Sequence, residues 1–203
     1  MKITAICLGQ PQKLAGKSYK TGIFKTAVSG PVMVDAQGLV GDAILNRKHH
    51  GGLDQAIYLE GSVTLDWWQT QLCAPLEPGT FGENLVVEGL DNRDLAVGDH
   101  VQIGDVVLEV SGPRIPCPTF STAMQDATFA KRYIKAANPG AYCRVLHGGW
   151  LQAGADVTWR PYSQYRILLK DMIGISFKVL PEDQRRRYLT APIAERIRAQ
   201  VQI

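Results

Sequence analysis

Apolar and polar positions alternate in short runs from Met1 to about Arg160, and glycine or proline interrupts nearly every run. The most direct hairpin signal is Val101-Gln102-Ile103 and Val106-Val107-Leu108 on either side of Gly104-Asp105, because glycine readily takes the backbone angles of a tight turn. Segments at 2–8, 23–28, 32–34, 54–60, 84–88, 100–103, 106–111, 141–146 and 155–159 carry the pattern of strands. Their even spacing predicts antiparallel hairpins that form a β-barrel or a strongly curved sheet. The predicted fold class is therefore mainly β, with interspersed helices.

Ser62 is placed to cap one helix running to about Leu72, with Val63, Trp67 and Leu72 as its core contacts. A second helix is predicted from about Ser121 to Ala137, where Asn138-Pro139-Gly140 stops it. After Arg160-Pro161 the pattern changes. Tyr165, Leu168, Leu169, Met172 and Ile173 follow helical spacing until Gly174, Pro181 suits a first turn, and Thr190-Ala191-Pro192 restarts a helix bearing Ile193, Ile197 and Val201. Three short helices cannot bury a core alone, so they must pack on the barrel or on a second subunit. The expected organisation is a barrel domain over residues 1–160 and a C-terminal three-helix segment over 161–203.

Composition narrows the class. Of 203 residues, 45% are hydrophobic and 20% charged, which suits a folded soluble chain with one substantial core. The apolar run near the N-terminus is too short for a signal peptide or a membrane span, so a cytoplasmic location without a membrane partner is expected. Cys7, Cys73, Cys117 and Cys143 form no C-x-x-C pair, which argues against a zinc ribbon, a redox dithiol or a ferredoxin-type cluster. Residues 160–203 hold nine Lys/Arg against four Asp/Glu, or +5, so the remainder carries −2 of the total +3. Arg185-Arg186-Arg187 reads as a solvated helix face, and a nucleic-acid partner is not expected.

The chemistry concentrates in Ser111-Gly112-Pro113-Arg114-Ile115-Pro116-Cys117-Pro118-Thr119. Three prolines fix φ and hold the preceding residues out of helical geometry, so the loop is stiff and presents one thiol beside one arginine. Such a thiol serves as a nucleophile or soft metal ligand, or it packs as a small apolar side chain. Arg47-Lys48-His49-His50-Gly51-Gly52 combines cationic side chains with flexible backbone and suits an anion cradle, or is a turn that happens to be basic. Gly82-Glu83-Asn84 offers an acceptor and an amide at the mouth of a strand, where they could read the edge of a heterocycle. His147-Gly148-Gly149-Trp150 is a second His-Gly-Gly, read as a plain turn. Nucleotide-binding glycine fingerprints, a Walker A loop, H-E-x-x-H and G-x-S-x-G are all missing from the sequence.

Taken in order, His50-Gly51-Gly52-x-Asp54-Gln55-Ala56, Gly82-Glu83-Asn84-Leu85, Leu95-x-x-Gly98-Asp99-x-x-x-Ile103-Gly104 and Pro113-Arg114-x-Pro116-Cys117 resemble the MOSC family. MOSC is the domain found at the C-terminus of molybdenum cofactor sulfurases, and the spacing is most similar to its YiiM-like group. The resemblance spans nearly the whole chain and implies a MOSC-type β-barrel followed by three helices. It also implies a molybdenum–pterin cofactor with Cys117 as catalytic residue and metal ligand. His50, Gly51, Gly52, Glu83, Asn84 and Arg114 would then lie around the pterin or its phosphate. The implied reaction is reduction of N-hydroxylated compounds, such as 6-N-hydroxylaminopurine, to amines. With no iron–sulfur or flavin motif in the chain, an external redox partner protein would supply the electrons, and a homodimer is the expectation for the group. Two other readings stay open: a non-catalytic carrier of the cofactor or of sulfur, and a metal-free thiol enzyme with His50 or His147 as base.

Overall fold

The computed structural model describes residues 1–47 and 50–202; Lys48 and His49 of the basic turn, and Ile203, lie outside the described residues. The strands are β1 (Ile3–Gly9), β2 (Gln12–Lys13), β3 (Lys20–Thr21), β4 (Lys25–Ala27), β5 (Val32–Asp35), β6 (Gly38–Leu39) and β7 (Ile57–Gly61). They continue as β8 (Leu85–Val87), β9 (His100–Ile103), β10 (Val106–Pro113), β11 (Ala141–His147), β12 (Gly149–Leu151) and β13 (Val157–Arg160). The helices are α1 (Ser62–Leu72), α2 (Pro118–Ala123), α3 (Phe129–Ala136), α4 (Leu169–Met172), α5 (Glu182–Thr190) and α6 (Glu195–Val201).

The main sheet runs β13-β9-β10-β11-β7-β8-β1-β4. Its neighbours are antiparallel except β7 and β8, which the α1 crossover makes parallel. The β9–β10 hairpin turns as its sequence predicts, with Val106 opposite Ile103 and Gly104 at φ 57°. The sheet-dominated fold with interspersed helices is as expected, while a closed barrel is not detected among the described residues. No continuous ladder closes the sheet among the described residues; the start of β1 meets the approach to β13 through one isolated bridge, Lys2 to Asp156, flanked by Ile3 N–H to Ala155 O at 2.9 Å. Two more backbone bonds cross that seam, Gly154 N–H to Ile3 O at 2.7 Å and Val157 N–H to Met1 O at 2.8 Å.

Two cores fill the molecule. One joins sheet residues such as Leu59, Leu108 and Val110 to Leu169, Met172, Ile193, Ile197 and Val201, so the C-terminal helices bury their apolar faces on the sheet. Each such side chain contributes roughly 1.5–3 kcal/mol when fully buried, which supplies the stability short helices lack alone. The other is aromatic: Trp68, Phe81, Phe120, Phe129 and Tyr133 meet between α1, α2, α3 and the sheet, and Trp68 stacks on Tyr133 at 5.5 Å.

Several element expectations shift. The buried face of α1 is Thr64, Leu65 and Trp68; Val63 is exposed, and the N-cap is Gly61, while Ser62 Oγ accepts from Gly89 N–H. The helix expected over 121–137 is two, because the Asp126 carboxylate accepts from both the backbone N–H and hydroxyl of Thr128 and turns the chain there. In the tail, Ile167 and Leu168 pair with residues 96 and 97, so helix α4 starts only at Leu169.

Candidate functional site

A cavity of about 310 Å³ opens where six distant stretches of chain converge. The segment from Tyr19 to Lys25 forms one wall, and Asp42 to Asn46 with His50, Gly51 and Gln55 forms another. Tyr58 and Tyr142, register partners on β7 and β11, supply aromatic surface, and Arg114, Cys117 and Thr119 complete the enclosure. The Tyr19 and Thr119 hydroxyls approach to 3.2 Å, which links the first wall to the start of α2.

Cys117 immediately precedes α2, with Pro118 at the first helical position and an extended backbone, φ −123° and ψ 167°. Its partial burial alone would push the thiol up. The His50 imidazole, the Arg114 guanidinium and the Phe120 N–H outweigh that effect and hold the thiol at about 7. The buried Cys7 and Cys143 go the other way, pushed up to about 12 by burial. In this fold Cys117 is therefore set apart electrically from two residues of identical chemistry.

Arg114 is 4% exposed, and its guanidinium carbon lies 3.6 Å from the centroid of the Phe120 ring. Nη1 donates to Ile115 O at 3.3 Å, whereas Nε has no partner, and no carboxylate pairs with this arginine among the described residues. A buried cation with an orphaned donor at a cavity wall is costly unless an anion completes it. Lys25 is also at the wall, but Asp42 neutralises it, and burial lowers its amine while that carboxylate opposes the shift.

The other expected site residues divide sharply. His50, Gly51 and Asn84 line the cavity; Gly52 and Glu83 do not. Gly51, at φ 74°, has Ile44 against the position a Cβ would take, so the close approach of that turn needs glycine. Gly52, at φ 78°, instead starts the short 3₁₀ turn Leu53–Gln55. Asn84 has little amide left for a ligand: Nδ2 donates to Cys7 O and Asp42 Oδ2, and Oδ1 accepts from Tyr58 N–H. Glu83 is buried and closes its own turn, Oε1 accepting from Gly79 N–H at 2.6 Å and Oε2 from Phe81 N–H at 2.9 Å. Burial raises its carboxyl despite those two bonds.

Two further motif aspartates hold the frame. Asp54 Oδ1 takes a two-nitrogen contact from Arg144, and its Oδ2 accepts from Glu195 N–H at 2.7 Å, which latches α6 beside the His50 turn. Asp99 collects Ala96 N–H, Trp159 Nε1, Tyr162 N–H and Arg166. His147 sits away from the cavity, its Nδ1 donating to Asp105 O at 2.8 Å. Sequence reasoning missed Lys25, Asp42, Tyr58 and Tyr142. Lys25 and Asp42 lie in segments with no motif, and the two tyrosines look like core residues on strands.

Comparison with known proteins places these motifs. The MOSC domain model matches residues 46–158, more than half the chain and all the cysteine-loop and His-Gly-Gly geometry. YflK of Bacillus subtilis, an uncharacterized protein, is 31% identical over 76% of this chain and 71% of its own length. A protein of Gibberella moniliformis named a reductase is 31% identical over 75% of this chain, which spans only 28% of that longer protein. The crystal structure of YiiM from Geobacillus stearothermophilus superposes with a TM-score of 0.80 and 25% identity, covering 99% of this chain and 97% of that one. This chain belongs to the MOSC domain family.

Proposed function

We propose that this chain is a molybdenum-cofactor-dependent reductase that converts N-hydroxylated compounds, 6-N-hydroxylaminopurine-type base analogues among them, to amines. The observation that carries the reading is one wall of the cavity: a thiol held at about 7 next to a buried arginine whose Nε lacks a partner. Among the described residues no three His, Cys, Asp or Glu side chains cluster as a metal site. One soft thiolate does suit a metal that arrives already held by an organic cofactor, and a guanidinium with no carboxylate partner suits that cofactor's anionic group. The residues present thus fit the molybdenum–pterin cofactor that the family implies, and the name of the Gibberella relative supports a reductive reaction.

In this reading Cys117 ligates the metal and Arg114 binds the anionic end of the cofactor, while Gly51 lets its turn pack against Ile44 at the cavity wall. When bound, the cofactor supplies the two-electron chemistry that breaks the N–O bond. The protein offers Tyr58 and Tyr142, packed on each other at the cavity wall, as an aromatic surface for the substrate and keeps the thiolate ionised through His50 and Arg114. Electrons come from an external redox protein. No helix among the described residues is long and apolar enough to cross a membrane, and a cytoplasmic homodimer is part of the same proposal.

The deciding experiment is elemental and pterin analysis of protein made in a host that synthesises the cofactor, followed by reduction of 6-N-hydroxylaminopurine with an artificial electron donor. Near-stoichiometric molybdenum that Cys117→Ser removes, together with turnover, is expected. Molybdenum far below stoichiometry in both proteins would sink the reading and leave a thiol enzyme. Bound molybdenum with no reduction of the purine or of amidoximes assigns a carrier instead.

A further inference from the structure

Glu60 is a fully buried carboxyl directly behind the cavity wall. It stands two residues after Tyr58 on β7, so both side chains leave the strand on one face, and the Tyr58 hydroxyl bonds Glu60 Oε1. Oε2 is bonded by Asn92 Nδ2. The Asn92 amide cannot turn over without loss, because its Oδ1 accepts from Gly61 N–H at 2.9 Å. Oε2 is therefore an acceptor, and a proton on this carboxyl belongs on Oε1, facing Tyr58.

The surroundings keep that proton in place. Besides Tyr58, the titratable and charged groups facing Glu60 are Arg114 just beyond β10, Tyr133 on α3 and Glu83 in its turn. Burial is the main influence and pushes Glu60 up to about 8; the Tyr58 and Asn92 bonds and Arg114 oppose it, while Glu83 adds to it. Gly140 packs so closely that a Cβ there would come within 2.3 Å of both Glu60 Oε1 and the Tyr58 ring. Glu83, the acid the sequence made prominent, has both oxygens taken by backbone N–H groups and does not reach the cavity.

We propose that Glu60 is the proton reservoir of the cavity, releasing its proton through the Tyr58 hydroxyl to the substrate. This rests on the reductase reading. Reduction of an N-hydroxylamine takes two protons and two electrons: the N–O bond breaks, one N–H forms, and the hydroxyl leaves as water. The electrons come from the external redox protein. Glu60 gives one proton by way of Tyr58 and solvent gives the other; Glu60 is left as a carboxylate and is reprotonated from solvent by the same hydroxyl between turnovers. Glu60 acts through Tyr58 and need not touch the substrate.

The test uses the molybdenum-loaded protein with Glu60→Gln and Tyr58→Phe. Glutamine can donate to Tyr58 and accept from Asn92, so it keeps the hydrogen bonds of the protonated acid but has no proton to transfer. Unchanged molybdenum content and melting temperature are expected for Glu60→Gln, with KM nearly constant and kcat lowered roughly a hundredfold, the ordinary size of a general-acid effect. The wild-type rate should fall as pH rises through about 8, and that alkaline limb should vanish in Glu60→Gln. A Glu60→Gln protein with the wild-type rate and pH profile overturns the proposal. An independent readout uses the cofactor-free wild type. Infrared titration should find a protonated carboxyl at neutral pH that ionises near pH 8 and whose stretch shifts in Tyr58→Phe. Only ionised carboxylates at neutral pH would overturn the proposal without any turnover. A wild type that binds molybdenum and reduces nothing fails the reductase reading, an outcome distinct from either result for Glu60.

Discussion

His50-Gly51-Gly52 and His147-Gly148-Gly149 repeat one tripeptide, and the fold gives them unlike tasks. The first lies between Asn46 and a 3₁₀ turn, with His50 facing the Cys117 thiol and Gly51 at the cavity wall. The second links β11 to β12, with His147 tied to the Asp105 carbonyl and Gly148 pressed on Val34 O. The sequel differs as well. Asp54 follows the first tripeptide and latches α6, whereas Leu151 follows the second and is buried in the sheet core. A short motif thus acquires chemical meaning from what the chain brings against it.

The contrast can be broken at four points. Cys117→Ala should abolish molybdenum retention and reduction while unfolding free energy changes by less than about 1 kcal/mol, since prolines hold the loop; a loss above about 3 kcal/mol in denaturant titration would mark the thiol as core. Asp54→Ala should cost about 2–3 kcal/mol in the same measurement, because Arg144 loses a half-buried partner and the start of α6 loses its acceptor. Gly148→Ala should cost about 1–3 kcal/mol, as the new Cβ would sit 2.5 Å from Val34 O. Gly52→Ala meets no neighbour, yet φ 78° with ψ 174° is a backbone essentially only glycine adopts, so it should cost about 1–3 kcal/mol from the backbone alone.

The subtlest difference is electrical. Alkylation of Cys117, followed by mass spectrometry at that residue, should show a midpoint near pH 7, with reactivity falling as pH drops below it and the thiolate takes up a proton. His50→Ala should raise the midpoint by about one pH unit, equivalent to about 1.4 kcal/mol. His147→Ala should leave it unchanged. Equal shifts from both histidines would remove His50 as the partner of the thiol.

Much of the fold was legible along the chain. Gly104-Asp105 located the β9–β10 hairpin, and the run from Val106 located β10 itself, because strand period and turn chemistry are local. Ser62 and Val63 misled about α1: the helix is there, but tertiary packing chose Thr64, Leu65 and Trp68 as the buried face. The break between α2 and α3 depends on the Asp126 side chain turning back on Thr128, a contact that helical spacing does not register. In the site, Cys117 was conspicuous because of its prolines and Arg114. Glu83 and Asn84 were conspicuous too, yet their polar atoms mainly hold the turn and the wall together.

Residue order alone established the strand succession, the stiff cysteine loop and the four ordered motifs of the MOSC family, because each depends on neighbours a few positions apart. The folded chain alone decided that Asp42 meets Lys25 and Asn84, that Cys117 faces His50, and that Glu60 stands behind Tyr58. It also decided that the sheet curls without a continuous closing ladder. Burial and through-space charge depend on segments far apart in the chain. They set one thiol near 7 and two others near 12, although all three are the same amino acid.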